Sequence, residues 1–307
     1  MPELPEVQTT VSGINKHLPG KKIISVWNDY KSNYFKGKEN IKDPSYFKKF
    51  EKEVVGEKIK KAERRGKNII IHLTNDKAIL IHMKMTGHLL YGKYKKVENS
   101  WIPHESGPLT DPFNRHIRLV FALDNGKALA LCDMRKFAKV LFTKENPHKH
   151  KDLEVIAKDP FEMSRKEFVD SLRKKKSGRI MNILMDQNIV SGIGNIYSDE
   201  ILWKLEIHPE ESVSNLSDGE LRKIWKEARI ILKKGIHFGG DSTSDYRNIK
   251  GEPGNFQQEH RAYRKTGEKC PKKWCPGKII RKVVGGRSAH FCSSHQKLKI
   301  VKSKKLR

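Results

Sequence analysis

The chain has 307 residues, with 63 Lys or Arg against 36 Asp or Glu, so its formal net charge is +27. Hydrophobic residues make up 36% of the chain, which is enough for a core at this length, and no apolar run reaches the roughly 18 residues of a membrane span. Four cysteines do not suggest a disulfide scaffold, and no secretory signal is visible, so we expect a cytoplasmic protein that binds a polyanion.

The first predicted element is a short helix. Apolar residues recur at spacings that place them on one helical face: Val7, Val11, Ile14 and Leu18. Pro5 suits the first helical position, and Gly20 is typical of the end of such a helix.

Residues 20–145 are predicted to be mostly β-structure. Residues 68–73 and 78–83 form one predicted hairpin, and residues 118–123 and 127–132 form another across Asp124-Asn125-Gly126. We expect a polar loop around residues 91–115. Because single hairpins cannot bury both faces, the strands predict a sandwich or a barrel.

The second half has helical periodicity, and residues 160–236 predict a bundle after a polar boundary near 148–160. Capping boxes stand at Ser164 to Glu167 and at Ser217 to Glu220. Residues 183–207 predict two helical segments, interrupted by residues 191–194. Gly235 is expected just beyond the last helical turn.

A cysteine cluster follows near the C-terminus. Cys270, Cys275, Cys292 and His295 have the donor types of a tetrahedral zinc site, although His290 is also near. We therefore predict one Zn²⁺ per chain. Between the cysteines, residues 278–287 predict a β-hairpin that turns at Gly285-Gly286, and so small a segment needs a metal to fold.

Positive charge is concentrated in this part of the chain. Residues 260–307 contain 16 Lys or Arg and one acid, Glu268. Up to about residue 296 the basic residues alternate with apolar ones, which favours a folded surface that binds phosphates. The last ten residues, 298–307, are more typical of a solvated tail.

The N-terminus offers a candidate nucleophile. Removal of Met1 would expose the secondary amine of Pro2, which could attack a carbonyl-like carbon and form a charged iminium. Glu3 could supply a proton, and Glu6 lies one helical turn further. Taken alone, these residues are much more typical of an ordinary helix start.

Six sequence motifs in one order resemble those of bacterial formamidopyrimidine-DNA glycosylase, whose family also holds endonuclease VIII. The resemblance extends from residue 2 to about residue 296. Its motifs are residues 1–7 (Met-Pro-Glu-Leu-Pro-Glu-Val), 82–87 (His-Met-Lys-Met-Thr-Gly), 133–137 (Asp-Met-Arg-Lys-Phe), 186–200, 251–254 (Gly-Glu-Pro-Gly) and 284–287 (Val-Gly-Gly-Arg).

The resemblance implies a multi-domain α+β fold. Residues 1–150 would form a catalytic β-sandwich with an opening helix, 160–258 a helix–two-turns–helix domain, 260–296 a zinc finger and 297–307 a basic tail. Double-stranded DNA that contains oxidised bases or abasic sites would bind between the halves. The DNA-bound enzyme would be associated with the nucleoid, and no feature of the sequence requires a dimer, so we expect a monomer.

The resemblance also implies the chemistry of base-excision repair. The Pro2 amine would attack C1′ and expel an oxidised purine, and Glu3 would protonate the sugar ring oxygen. The iminium would then permit β- and δ-elimination on both sides of the site. By the same resemblance, Lys67 contacts a phosphate near the lesion, and Arg287 grips the flanking phosphates.

Further residues match positions that contact DNA. By the resemblance, Met85, Arg135 and Phe137 fill the gap left by a flipped nucleotide. Asn195 would bind a phosphate, and Glu6 and His116 are also expected on the DNA-binding surface.

The sequence departs from the family pattern at three places. The first cysteine pair is spaced by four residues rather than two, and His295 replaces a cysteine. Met181 stands where relatives often have a phosphate-facing lysine, and neighbouring Arg179 could substitute for it.

Two rival functions stay open at this point. One is an endonuclease VIII-like preference for oxidised pyrimidines, against which Arg135 together with Phe137 favours purines. The other is a zinc-dependent DNA-binding protein without catalysis, which needs no Pro2 amine.

Overall fold

The structure, a computed structural model, describes residues 1–30 and 32–299. The chain divides into two compact units. The first contains Met1–Val155 and Gly235–Gln257, and the second contains Ile156–Lys234 and the described residues from Gln258 onward. Residues 235–257 therefore pack with the N-terminal unit, whereas the sequence analysis assigned them to the helical domain. Residues 300–307 of the predicted basic tail lie outside the described residues.

The predicted opening helix is α1 (Leu4–His17), and its apolar face is buried as expected. Its first turn is closed by a hydrogen bond of 2.6 Å that the Glu3 N–H donates to Oε2 of Glu6. After the helix, Gly20 adopts a left-handed φ of 81° and donates its N–H to the Ile59 carbonyl. Such a φ favours glycine, so Gly20 marks the end of the helix as predicted.

The first unit is a sandwich of two antiparallel four-stranded sheets, with orders β1-β8-β9-β5 and β10-β4-β3-β2. Both predicted hairpins are present, as β3–β4 and β8–β9. The strands of this unit are β1 (Ile23–Asn28), β2 (Ile59–Arg65), β3 (Asn68–Leu73), β4 (Ala78–His82), β5 (His88–Gly92), β6 (Tyr94–Val97), β7 (Ser100–Pro103), β8 (Ile117–Leu123), β9 (Ala128–Cys132) and β10 (Lys139–Thr143).

The core of this unit lies between the two sheets. Alternate residues of each strand point inward, for example Ile69 and Ile71 on β3 and Leu119 and Phe121 on β8. Helix α1 covers one side of the same core. Ile249, from the returning segment, packs into it as well.

Three elements of this unit were not expected from the sequence. Helix α2 (Pro44–Val54) lies in the stretch predicted to be mostly β-structure, where Asp43 accepts a hydrogen bond from the Tyr46 N–H and so caps the helix. Its Phe50 is completely buried. The predicted polar loop contains the β6–β7 hairpin. A short helix, α3 (Lys151–Glu154), lies in the predicted boundary region.

The second unit contains α4 (Arg165–Arg173), α5 (Ile180–Met185), α6 (Asn195–Lys204) and most of α7 (Asp218–His237). Both predicted capping boxes are present, at α4 and at α7. Gly235 is a correction: α7 continues past it, and the left-handed Gly239 and Gly240 follow the helix, with φ of 73° and 89°. No helix among the described residues is long and apolar enough to cross a membrane.

The finger at the end of this unit is the predicted hairpin. Strands β11 (Ile279–Val284) and β12 (Arg287–Cys292) are antiparallel, and the turn between them is Gly285-Gly286. Both glycines have positive φ, as a two-residue hairpin turn with these strands favours.

Candidate active site and metal centre

The start of α1 and the turn that carries Lys67 lie at the same end of the sandwich. Asn15 exchanges two hydrogen bonds with Ala62 of β2, and Gln8, two turns earlier in the helix, accepts one from Arg64 Nε at 3.0 Å. Helix α1 and strand β2 therefore run in opposite directions, so the N-terminal end of α1 lies near the C-terminal end of β2, which leads into Lys67. The Lys67 side chain is buried.

Strand register adds the predicted Met85 to this end. Asn68 of β3 pairs with His82 of β4, so Lys67, one residue before, lies beside the turn Met83–Gly87 that follows β4. Met85 projects from this turn with 43% of its surface exposed. Burial, followed by the charges of Lys84 and Lys67, lowers the pKa of His82 to about 3, which keeps its imidazole neutral.

A second turn, Asp133–Ala138, lies next to the first. His82 of β4 pairs with Lys139 of β10, and His88 of β5 pairs with Cys132 of β9. The β4–β5 turn and the β9–β10 turn each connect the two sheets, and they therefore lie next to each other. This second turn carries Arg135 and Phe137. We call Lys67, Met85, Arg135 and Phe137 the turn cluster, defined by their common end of the sandwich.

Arg135 and Phe137 are already paired with each other. The guanidinium carbon of Arg135 lies 4.7 Å from the Phe137 ring centroid, as in a cation–π contact. Both side chains are exposed, and 49% of the Phe137 surface faces solvent. Neither side chain belongs to the core, so both are accessible to a ligand.

His116 also reaches the second turn, through its backbone. Its carbonyl accepts a 2.8 Å hydrogen bond from the Asp133 N–H, and its Nε2 lies 3.2 Å from Arg115 Nε. Burial and the neighbouring Arg115 and Arg118 lower the pKa of His116.

Glu6 connects the helix start to the returning segment. Its Oε2 accepts from the Glu3 N–H, and its Oε1 accepts from the Asp241 N–H at 2.8 Å. Its carbonyl also accepts a hydrogen bond of 3.0 Å from the Tyr246 hydroxyl. Glu6 is almost completely buried, so it acts on Glu3 and on the 241–246 loop rather than on solvent.

In the second unit, the structure brings Asn195 and Arg287 together. Asn195 is the first residue of α6, and its Nδ2 donates a 2.8 Å hydrogen bond to the carbonyl of Ser288, the residue after Arg287. Arg287 itself is exposed beside the hairpin turn. A helix N-terminus and a guanidinium at one place are typical of a phosphate site. Met181, in contrast, is completely buried, so its side chain cannot replace a phosphate-facing lysine.

The four predicted metal ligands converge. The ligand atoms of Cys270, Cys275, Cys292 and His295 all lie within 4.8 Å of one another, and the three cysteines are buried and free of disulfides. Sγ of Cys275 lies 3.4 Å from Sγ of Cys292 and 3.3 Å from Nδ1 of His295. Because the edge of a tetrahedral zinc–thiolate site is about 3.8 Å, the donors fit one such ion.

The choice between the two histidines is resolved by a partner distant in sequence. Nδ1 of His290 lies 2.8 Å from a carboxylate oxygen of Asp199 on α6, and the same oxygen accepts the His290 N–H. His290 therefore faces α6, and His295 is the histidine whose ring lies with the three cysteines.

Comparisons with known proteins agree with this arrangement. The model of the formamidopyrimidine-DNA glycosylase N-terminal domain matches residues 1–140, and that of the H2TH domain of the same enzyme matches residues 156–247. The formamidopyrimidine-DNA glycosylase of Mycoplasmopsis pulmonis is 35% identical over 302 residues, which cover 97% of this chain and 99% of that protein. The chain belongs to the formamidopyrimidine-DNA glycosylase family.

Other members of the family are equally similar. The formamidopyrimidine-DNA glycosylase of Desulforamulus reducens is 34% identical over 304 residues, covering 97% of this chain and 100% of that protein. A solved complex between the Lactococcus lactis enzyme and DNA that contains an abasic site has a TM-score of 0.79 and 30% identity, with 96% of this chain and 99% of that chain covered. A solved complex of a Lactococcus lactis mutant with DNA that contains Fapy-dG has a TM-score of 0.78 and 30% identity, with 95% of this chain and 98% of that chain covered.

The buried polar residues that connect the two turns of this glycosylase-family protein were not predicted from the sequence. Asp133 and Thr86 are buried between the two turns, and Tyr30 reaches Asp133 from a distant part of the chain. Asp133 and Thr86 lie inside two of the recognised motifs, where a polar residue next to an apolar strand could have indicated a buried hydrogen bond. No sequence pattern indicates such a role for Tyr30.

Proposed function

We propose that this protein is a base-excision repair enzyme that removes oxidised purines, such as 8-oxoguanine and formamidopyrimidines, and then cleaves the DNA strand. The observation that carries this proposal is the convergence, at one end of the sandwich, of the start of α1 and the turn cluster. An N-terminal amine, a buried lysine and a paired Arg and Phe beside one another serve covalent attack, phosphate binding and filling of a base gap.

The chemistry begins at Pro2. After removal of Met1, the neutral amine of Pro2 attacks C1′ of the damaged nucleotide, and the bond from C1′ to the base breaks as the base leaves with a proton. Glu3 protonates the ring oxygen of the sugar, so the ring opens and a cationic iminium forms. Glu6 supports this step by holding the Glu3 backbone N–H.

Strand cleavage follows from the iminium. It acidifies the C2′ hydrogen, whose loss moves an electron pair into a new C2′–C3′ double bond and expels the 3′ phosphate. A second elimination expels the 5′ phosphate. Lys67 lies in the turn between β2 and β3 at this end of the sandwich, and we assign it to a phosphate at the lesion, with His116 at the edge of the same DNA-binding surface.

The other proposed DNA contacts divide between the two units. Met85, Arg135 and Phe137 occupy the gap in the duplex, where the apolar side chains replace lost stacking and Arg135 binds the unpaired base. Asn195 and Arg287 bind backbone phosphates. The Cys270, Cys275, Cys292 and His295 donors hold one Zn²⁺, which fixes the hairpin that presents Arg287.

Borohydride trapping tests this function. The iminium is reduced to a stable amine, so untagged protein and duplex DNA with an abasic site should give a covalent adduct. Pro2→Thr replaces the secondary amine by a primary one, so its adduct should form far more slowly, whereas Pro5→Ala, which keeps the Pro2 amine, should form the adduct at the original rate. Absence of an adduct with the unmodified protein would leave the non-catalytic DNA-binding function as the better account.

The substrate preference needs a separate measurement. Single-turnover excision of 8-oxoguanine opposite C should be faster than excision of thymine glycol in the same sequence. Faster excision of thymine glycol would support the endonuclease VIII-like alternative, while leaving the Pro2 chemistry intact.

A further inference from the structure

The two turns that carry Met85, Arg135 and Phe137 share one buried carboxylate. Asp133 has no exposed surface. Its Oδ2 accepts hydrogen bonds from the Tyr30 hydroxyl at 2.9 Å and from the Ala138 N–H at 2.8 Å, and its Oδ1 accepts from the Thr86 hydroxyl at 2.5 Å. Asp133 therefore closes its own turn, through Ala138, and binds the Met83–Gly87 turn, through Thr86.

Thr86 is the link between the backbones. Its hydroxyl donates to Asp133 and accepts a 3.1 Å hydrogen bond from the Arg135 N–H. One oxygen atom of the Met85 turn thus fixes the backbone of Arg135 in the other turn. Burial raises the pKa of Tyr30, with the Asp133 charge adding to the effect, so the hydroxyl remains a donor.

A second connection holds the residue between Arg135 and Phe137. Lys136 has a left-handed φ of 54°, which a residue with a Cβ rarely adopts. Its carbonyl accepts a 2.6 Å hydrogen bond from Nζ of Lys42, and its own Nζ donates to the Asp29 carbonyl at 2.7 Å. These contacts maintain a backbone conformation that points the flanking side chains of Arg135 and Phe137 outward.

A buried charged residue is a poor way to gain stability, because apolar residues of the same volume usually stabilise a fold as well or better. What a fully bonded carboxylate provides is one defined geometry. That geometry is applied here to the two turns whose side chains project into solvent. The position and hydrogen bonds of Asp133 are therefore explained better by a role in fixing the geometry of the turns than by a contribution to the stability of the core.

We propose that Asp133 and Thr86 are positioning residues that hold the two turns in the arrangement required to fill the gap left by a flipped nucleotide. This proposal rests on the proposed function, since the gap exists only in DNA from which a nucleotide has been rotated. Tyr30 and Lys42 support the same arrangement from outside the two turns.

The test measures gap filling without catalysis. A duplex carries the uncleavable abasic analogue tetrahydrofuran opposite 2-aminopurine, and stopped-flow fluorescence follows the emission change on mixing with the full-length protein. Thr86→Val keeps the volume but removes the hydroxyl, so the rate should fall about tenfold. Thr86→Ser restores the hydroxyl and should return the rate to within about twofold of the original protein.

Two further variants separate positioning from general stability. Thr143→Val makes the same change at a buried threonine on β10 whose hydroxyl accepts from the Glu145 N–H, and it should leave the emission rate unchanged. Tyr30→Phe removes one donor to Asp133 and should slow the emission change about threefold, and it provides the measurement if Thr86→Val fails to fold. An unchanged rate in Thr86→Val, or in Tyr30→Phe when the valine variant is unfolded, overturns the proposal.

The outcomes also distinguish this proposal from the function on which it rests. If the unmodified protein shows the emission change but no borohydride adduct, the proposed catalysis fails and the positioning role stands. If it forms the adduct while Thr86→Val fills the gap at the original rate, the positioning role fails and the catalysis stands. The absence of any emission change with the unmodified protein overturns the positioning role.

Discussion

The sandwich and the finger present their candidate DNA-binding residues by different physical means. The turn cluster stands on two sheets with a continuous apolar core, and its geometry is set by strand register and buried hydrogen bonds. The finger has a small cluster in which three of the buried residues are the cysteines themselves. The sandwich therefore positions its turns with many weak contacts, whereas the finger gathers four side chains that could hold one ion.

The two solutions should fail differently. Losing one contact in the sandwich removes a small part of a large stabilisation, so the damage remains local. If the finger holds the proposed ion, losing one of its four ligands should remove the contribution on which the folding of the finger depends.

The largest effect is expected from Cys275→Ala. Metal content should fall from about one ion per chain to nearly none, and affinity for abasic-site duplex should fall about a hundredfold or more, because the hairpin that presents Arg287 is no longer held. Metal analysis and fluorescence anisotropy measure the two quantities.

The matched control for that experiment is Cys132→Ala. Cys132 is a buried residue of β9, and its Sγ lies 3.2 Å from the Phe113 carbonyl, far in sequence from the finger. This variant should retain its metal and its DNA affinity. Full DNA affinity in metal-free Cys275→Ala would remove the distinction between the two regions.

A smaller effect is expected from Arg287→Ala, which leaves the finger folded. Affinity should fall about tenfold, and the slope of log K against log salt concentration should become shallower by about 0.9, since one phosphate contact is lost. Titrations at several salt concentrations give the slope. Lys166→Ala, an exposed cation on α4 paired with Asp170, should leave the slope as it was, and an equal change in both variants would argue against a specific contact.

The smallest effect concerns His82 in the sandwich. Its pKa is lowered to about 3 in the folded protein, so only the unfolded chain gains a proton near pH 6.5. The free energy of unfolding should therefore fall by about 1 kcal/mol between pH 6.5 and pH 5.5, and the loss should continue toward pH 3.

The variant that isolates this effect is His82→Asn, because the amide oxygen can replace Nδ1 as acceptor for the Lys84 N–H. Denaturant unfolding at the two pH values should show a pH dependence weaker by about 1 kcal/mol in the variant. An identical pH dependence in both proteins would show that His82 is protonated in the folded state.

Local patterns in the sequence predicted much of the fold. Amphipathic spacing located α1, an Asn-Gly turn located β8 and β9, and Ser-to-Glu boxes located the starts of α4 and α7. Helix α2 was missed although Asp43-Pro44 is a helix-start signal, because the surrounding strands dominated the interpretation of that region. Gly235 was misread because tertiary packing can hold a glycine inside a long helix.

The candidate site shows the same division. The convergence of three cysteines and a histidine that could hold one ion was predicted, because their spacing and donor types are visible along the chain. The exclusion of His290 depended on Asp199, which is 91 positions away in the sequence, and no local pattern indicates such a pair. Contacts of this kind arise only when helix α6 and strand β12 pack together.

The return of residues 235–257 to the N-terminal unit has a consequence for synthesis. The Tyr91 N–H donates to the Ile249 carbonyl, and Glu6 accepts a hydrogen bond from the Asp241 N–H. The ribosome synthesises Asp241 and Ile249 only after the helical segment, so the sandwich forms these contacts late. A nascent chain that stops at residue 155 has every strand of both sheets but an unfilled position where Ile249 belongs. The region that begins translation is thus among the last to reach its final form.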